Sequence, residues 1–289
     1  MTLLPWQAPL AAQVRERLAA GRLGHALLVA GPEGWGETAF ANWLALYLLG
    51  VEHAADAAAV AHPDLRWLAP DGAVIKVDAV RELEDFAHGT PQAGSRKVAV
   101  LTHAHYLNVN AANALLKTLE EPPPGTHLLL ASCHPGRLLP TVRSRCQTLS
   151  IRPDPAAAER WLAEQVNADD LALRLFEHGG APVAVAEGVE AGETPLEKLL
   201  EAAPRESGAA VVKALMEPSL AGALGRWYRY VLAMAAGSRT VRGFERATPR
   251  GLMAFADELT WARRQLLTSN SANARLLAER LVARWKRLA

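Results

Sequence analysis

Residues 31–38 read Gly-Pro-Glu-Gly-Trp-Gly-Glu-Thr, and this octapeptide constrains the fold more than any other stretch. It fits the phosphate-binding pattern G-x-x-x-x-G-K-[ST] at Gly31, Gly36 and Thr38, with Gly34 as a further turn glycine. Glu37 stands where the pattern has lysine. His25 to Ala30 before it is a short apolar run that reads as a buried strand, and Thr38 to Leu49 after it reads as a helix. Strand, glycine loop, helix is the context the pattern needs. The missing lysine would hold the negative charge of the phosphates. A carboxylate there turns attraction into repulsion, about 4 kcal/mol for a contact at ~4 Å in an effective dielectric of ~20. The residues thus predict the shape of a nucleotide-binding fold without its chemistry. The same glycines also suit a tight strand-to-helix turn that needs no ligand.

The pattern of strands and helices continues for about half of the chain. Leu10, Val14 and Leu18 predict a helix within residues 7–20. Residues 62–69 read as a strand and Pro70 to Gly72 as a turn. Asp78 is expected to cap a helix through Val80, Leu83 and Phe86. Lys97–Leu101 and His127–Ser132 read as buried strands. Between them Asn110 is expected to cap a helix over Ala111–Glu120, ended by Pro122, Pro123 and Pro124. Short apolar strands alternating with helices imply a parallel sheet covered on both faces. After Ile151 the pattern changes. Residues 152–155 read as a linker, and helices follow at 159–166, 170–177 and 182–187. Long amphipathic helices are expected at 221–236, 249–269 and 272–288, the last with Leu277, Leu281, Trp285 and Leu288 on one face. The expected division is an α/β domain over 1–151, a small helical domain over 152–193 and a helical domain over 194–289.

Composition narrows the setting. No apolar run approaches a membrane span, and the N-terminal Met-Thr-Leu-Leu-Pro-Trp-Gln lacks the basic and apolar regions of a signal peptide. A cytoplasmic location is expected. The two cysteines, Cys133 and Cys146, form no C-x-x-C pair and read as small, partly buried side chains in a reducing compartment. Net charge is +1, but the segment from Gly222 onward holds 13 Arg or Lys against 4 Asp or Glu. Such a basic region suits DNA or an acidic partner, and equally a solvated helical surface.

A phosphate-loop ATPase also needs a carboxylate for magnesium at the end of a buried strand. After Val98 to Leu101 come Thr102 and His103 instead of an acidic pair. Two independent requirements therefore fail, which argues against hydrolysis by this chain. His103 and His105 would share a face on a strand, but no third metal ligand is evident, so hydrogen-bonded histidines are expected.

Asn113-Ala-Leu-Leu-Lys-Thr-Leu-Glu-Glu-Pro-Pro123 and Ser144-Arg-Cys146 resemble the bacterial clamp-loader branch of the AAA+ superfamily. So do His62-Pro-Asp64 and Val77-Asp-Ala-Val-Arg-Glu-Leu83. The resemblance is strong over residues 20–151 and weaker around Arg264 to Leu288. It implies an AAA+ P-loop-type α/β domain, a small helical lid and a C-terminal helical collar. It also implies a subunit of the replicative DNA polymerase III clamp loader, a complex that serves a DNA-directed DNA polymerase. The implied partners are the gamma or tau ATPase subunits and the delta subunit, with the sliding clamp and primed DNA reached through the complex.

In that branch the Ser-Arg-Cys motif supplies an arginine in trans to the ATP of the next subunit. Here that arginine is Arg145, with Ser144 and Cys146 as its motif context and Arg143 and Arg137 as neighbouring alternatives. The alternative to that role is an ordinary surface salt bridge. Gly31, Gly34, Gly36, Glu37 and Thr38 are then a degenerate loop without ATP, and Thr102 and His103 a degenerate magnesium strand. Many members of the branch carry a four-cysteine zinc module after the loop helix. Residues 49–61 hold no cysteine, so no zinc is expected and the region reads as a lost or Ala-rich remnant. Two other readings stay open. One is an active ATPase in which Lys76, Lys97 or Lys117 replaces the loop lysine. The other is a DNA-binding AAA+ remnant whose basic C-terminal region binds duplex with a steep salt dependence.

Overall fold

The computed structural model describes residues 3–51, 54, 56–70, 74–166, 169–217, 219–268 and 272–289. It divides into two compact units, Met1–Trp161 and Leu162–Ala289. The first begins with a one-turn 3-10 helix at Pro5–Gln7 and α1 at Ala8–Ala19. Then follow β1 (Ala26–Ala30), α2 (Glu37–Leu49), β2 (Leu65–Leu68), α3 (Val77–His88) and β3 (Lys97–Leu101). Next come α4 (Val109–Ala114), α5 (Leu116–Glu120), β4 (Thr126–Ser132), α6 (Pro140–Arg143) and β5 (Gln147–Ser150). The strands form one sheet in the order β2-β3-β4-β1-β5, with every pairing parallel.

The three inner strands are buried along their whole length, which is why they read as unbroken apolar runs. Alternate side chains face opposite sides. Leu28, Ala99, Leu101, Leu128 and Leu130 pack with Val80 and Leu83 of α3, Ala111 of α4 and Val142 of α6. The opposite face is covered by α2, which contacts β1, β3 and β4. The loop between β1 and α2 thus lies at the carboxyl edge of the strands, where open parallel sheets bind ligands.

Several local expectations shift. α3 starts at Val77 after Lys76, so Asp78 lies in the first turn and pairs with Arg81 instead of capping. The cap of α4 is Asn108, whose Oδ1 accepts from the Ala111 N–H at 2.8 Å, and Asn110 lies inside the helix. The predicted helix 111–120 is two short helices broken at Leu115. β5 is an edge strand with one buried residue and weak periodicity, and it escaped sequence reading. Asp71 and Gly72 of the expected turn, and Glu52, His53 and Ala55 of the cysteine-free region, lie outside the described residues. The described part of that region holds one 3-10 turn, Ala57–Ala59, capped by Asp56.

His62-Pro-Asp64 has a structural role. Asp64 is fully buried, and its two carboxylate oxygens accept from the backbone N–H groups of Gln92 and Ala93, each at 2.7 Å. Burial pulls its pKa upward, but these two bonds with the charges of His62 and Lys97 outweigh it and hold the carboxyl below its ordinary value.

α7 (Pro155–Gln165) contains the division between the units. The second unit then runs through α8 (Leu171–Glu177), α9 (Pro182–Glu190), α10 (Leu196–Ala202), α11 (Gly208–Met216), α12 (Leu220–Ala235), α13 (Pro249–Thr268) and α14 (Ala274–Lys286). Its core is built on Trp227, Tyr230, Phe255 and Trp285, with Phe244 stacked on Trp285 at 4.2 Å. Leu281 and Trp285 of α14 are buried, and Leu277 and Leu288 pack beside them, along the face expected from sequence. Much of the basic surplus is used inside this unit. Arg226 pairs with Glu193 in the interior, Arg229 donates to the Glu177 carbonyl, Arg239 stacks on Phe176, and Arg280 and Arg284 share Glu258. No helix among the described residues is long and apolar enough to cross a membrane.

His178 belongs to the same interior network, 3.5 Å from Glu193. Burial, then the Arg226 charge, push its pKa from 6.5 down to about 4. The folded chain therefore keeps His178 neutral while the unfolded chain takes up a proton. This contribution is complete above pH 6.5 and is lost as pH falls toward 4. Thermal unfolding followed across that window is expected to show a falling midpoint, with a shallower slope for His178→Gln. Asp64→Ala takes the charged acceptor away from the backbone N–H groups of Gln92 and Ala93 and is expected to cost about 3 kcal/mol by denaturant titration at neutral pH. A loss under 0.5 kcal/mol would contradict the clamp role.

Candidate functional site

The β1–α2 loop has the backbone of a phosphate cradle. Gly34 and Gly36 take φ of 74° and 84°, a region that disfavours any side chain. A Cβ on Gly31 would lie 3.0 Å from the Ile151 side chain, so that glycine permits the close pass over β5. The loop's shape is held by the chain itself. Trp6 Nε1 donates to the Trp35 carbonyl at 3.0 Å, and Gln7 Nε2 donates to the Gly36 carbonyl at 2.7 Å. Trp6 meets the rings of Trp35 and Trp161 edge-on, each at 5.5 Å. Trp35, Gln7 and Glu37 are all buried.

Glu37 opens α2. The first turn of a helix stabilises negative charge, and this is the feature by which such loops hold phosphate. Here the chain has its own buried acid in that turn. The local field carries the same sign. Cys133, beyond the end of β4, has its thiol pushed up to about 12, first by burial and then by the carboxylates of Glu37 and Glu33. Thr38 follows Glu37 on α2.

Thr102 and His103 follow the end of β3, where the nucleotide-binding pattern needs an acidic pair. Thr102 is buried, and its Oγ1 and N–H both donate to the Leu68 carbonyl of β2, at 3.4 and 2.9 Å. His103 has a left-handed backbone, φ 50°, and its buried Nδ1 has no hydrogen-bond partner. Neither residue offers the hard carboxylate oxygen that magnesium needs. β3 ends at Leu101, so His103 and His105 are not on a strand as expected; they flank a turn and a 3-10 helix at Ala104–Tyr106. Their rings still sit 5.9 Å apart. His105 Nδ1 lies 3.2 Å from Ser132 Oγ, and its ring packs against Tyr106 and His134. Burial, then the charges of His134, His103 and Arg137, push its pKa down to about 4. The hydrogen bond expected of both histidines is made by His105, while His103 Nδ1 lacks one; burial lowers the pKa of both. Among the described residues no group of three or more His, Cys, Asp or Glu is arranged to hold a metal.

Sequence reading missed the residues that surround the loop. Trp6 and Gln7 lie almost thirty positions upstream, and only the fold reveals them. Ser132 was read as the end of a strand; its register opposite Ala30 places it beside the loop. Glu33 approaches His134 at 4.0 Å. Lys97, one of the alternative lysines, begins β3 at the opposite edge of the sheet, lies over Phe86 and donates to the Thr90 carbonyl.

Arg145 also sits at that opposite edge. It precedes β5, whose Gln147 pairs with Leu27 at the start of β1 and whose Ser150 pairs with Ala30 at its end. At ~3.3 Å per residue, roughly 15 Å or more of strand separates it from the chain's own loop. It is exposed, and contacts Glu120 Oε1 through Nε at 2.7 Å and Nη2 at 2.5 Å. Nη1 donates to the Thr141 carbonyl at 3.0 Å. Ser144 Oγ donates to the same carbonyl, and Cys146 is half-buried against the core with its thiol pushed up to about 12 by burial. Arg143 and Arg137 are exposed as well. Both cysteines are free thiols.

Residues 6–155 match the family model described as "DNA polymerase III, delta subunit". The DNA polymerase III subunit delta' of Escherichia coli K12 is 31% identical over 319 aligned residues, covering 98% of this chain and 95% of that protein. The delta' subunit of Pseudomonas aeruginosa is 43% identical over 198 residues, 63% of this chain, and the match spans 60% of the relative's length. In fold, the chain is similar to a DNA polymerase III gamma subunit-related protein of Thermotoga maritima, with TM-score 0.54, 18% identity, and coverage of 96% of this chain and 98% of that one. A parallel five-stranded AAA+ domain, a glycine loop with an acid in the lysine position and full-length similarity to a delta' subunit converge on one assignment: the chain belongs to the DNA polymerase III delta' family, in the clamp-loader branch of the AAA+ proteins.

Proposed function

We propose that this chain is a ring subunit of the replicative clamp loader that does not hydrolyse ATP itself and presents Arg145 to the ATP site of an adjoining subunit. The observation that carries this reading is the separation of the two motifs across the sheet. The glycine loop lies at the carboxyl edge and Arg145 at the amino edge, beyond reach of its own loop. From there the only triphosphate that Arg145 could reach is one held by another molecule. A guanidinium suits this task because it stays charged and binds two oxygens in a plane.

The loop supports the other half of the reading. Glu37 puts an acid in the first turn of α2 in place of the lysine, Thr102 and His103 bring no carboxylate, and Trp6 and Gln7 hold the loop through its carbonyls. The chain then acts as a rigid stator. In this reading the partners are the gamma or tau ATPase subunits and the delta subunit, with the sliding clamp and primed DNA engaged through the assembly. Residues 152–193 serve as the lid and residues 194–289 as the collar that docks to the other subunits. The site needs neither zinc nor ATP, and the protein works in the cytoplasm.

Arg145→Ala is expected to leave assembly intact, checked by gel filtration of the complex, and to slow ATP hydrolysis at one site by 10-fold or more. Unchanged turnover in a correctly assembled complex would remove the finger assignment. Glu37→Lys restores the cation but not the magnesium carboxylates, and is expected to give no measurable phosphate release from the isolated chain. Sustained release by that variant would show that the magnesium position lies elsewhere.

A further inference from the structure

Arg145 is held more closely than a surface arginine needs to be. A guanidinium has five N–H groups. Nε and one N–H of Nη2 meet a single oxygen of Glu120, and one N–H of Nη1 meets the Thr141 carbonyl. Two N–H groups are left, one on each terminal nitrogen. Both belong to the terminal nitrogens, whose outer end can bind two oxygens of a phosphoryl group.

The acceptors rest on a fixed base. Glu120 ends α5, which cannot continue because Pro122 to Pro124 follow. The carbonyl of Leu119 beside it lies 2.9 Å from His25 Nε2, at the start of β1. Thr141 belongs to α6, whose Val142 is buried in the core. Two separate elements therefore fix one side chain. Arg137 and Arg143 are nearby, yet among the described residues neither has a carboxylate within ion-pair distance. Stability alone does not account for the arrangement, since exposed ion pairs contribute about 0–1 kcal/mol.

We infer that Glu120 is a positioning residue: it orients the guanidinium of Arg145 so that the free N–H of each terminal nitrogen points outward toward a phosphoryl group on an adjoining subunit. The inference rests on the finger role proposed for Arg145. Glu120 itself touches no substrate. Its charge also offsets that of Arg145, so it weakens non-specific attraction for triphosphate while aiming the fork. Removing it has opposite effects on binding and on rate: the arginine attracts nucleotide at least as well but is poorly aimed.

The test uses the complete clamp loader assembled from this chain with its motor and delta subunits, with clamp and primed DNA present. Phosphate release after rapid mixing with ATP resolves one slow site among faster ones. Wild type, R145A, E120A and E120Q are compared, and nucleotide affinity is measured in parallel. E120A is expected to slow one site roughly tenfold with affinity unchanged or tighter, because misdirected groups lose rate rather than binding. E120Q keeps an oxygen acceptor and is expected to stay within about threefold of wild type. If R145A is slow while E120A matches wild type, the positioning role is overturned and the finger role stands. If E120A and E120Q are equally slow, charge rather than aim sets the rate, and the positioning role again falls. If R145A itself matches wild type, the finger role fails and this inference fails with it.

Discussion

The decisive interaction is the placement of the Glu37 carboxylate in the first turn of α2. A glycine loop that leads into a helix concentrates N–H groups and positive partial charge at one point. In a working site that point meets phosphate, and a lysine completes it. Here a buried acid of the chain stands in that turn, and the Cys133 thiol is raised first by burial and then by the carboxylates of Glu37 and Glu33. The rest of the neighbourhood is consistent with this substitution. Thr102 is turned to β2, His103 and His105 stay neutral, and Trp6 and Gln7 tie down the outer carbonyls of the loop.

A parallel sheet has two unlike edges, and the chain uses them differently. The carboxyl edge carries the glycine loop with Glu37. The amino edge carries Arg145, braced by Glu120 and Thr141. In a ring of such subunits, the proposed division of labour follows from this polarity, because what one subunit lacks at one edge it can offer from the other. The Asp64 clamp on Gln92 and Ala93 and the proline stop after α5 lie at the amino edge as well, before β2, β3 and β4.

The inner strands were legible in the sequence because they are buried on both faces and read as unbroken apolar runs. The loop was legible because Gly34 and Gly36 need conformations that few residues tolerate. β5 was not, since an edge strand of four residues with one buried side chain leaves no strong period. Asn110 was mistaken for a cap that Asn108 provides, because two asparagines of equal capping power stand two positions apart. The surroundings of the loop were illegible for a different reason. Trp6, Gln7 and Ser132 reach it through tertiary contacts, which local pattern does not encode. Glu120 belongs to the 113–123 motif, but its bond to Arg145 spans 25 positions and exists only in the folded chain.

The central claim is that this loop no longer takes a nucleotide. Isothermal titration of the purified chain with magnesium and ATP, combined with an assay for released phosphate, tests it most directly. The account predicts no saturable heat into the millimolar range and no phosphate above background. Saturable binding in the micromolar range accompanied by steady turnover would contradict it.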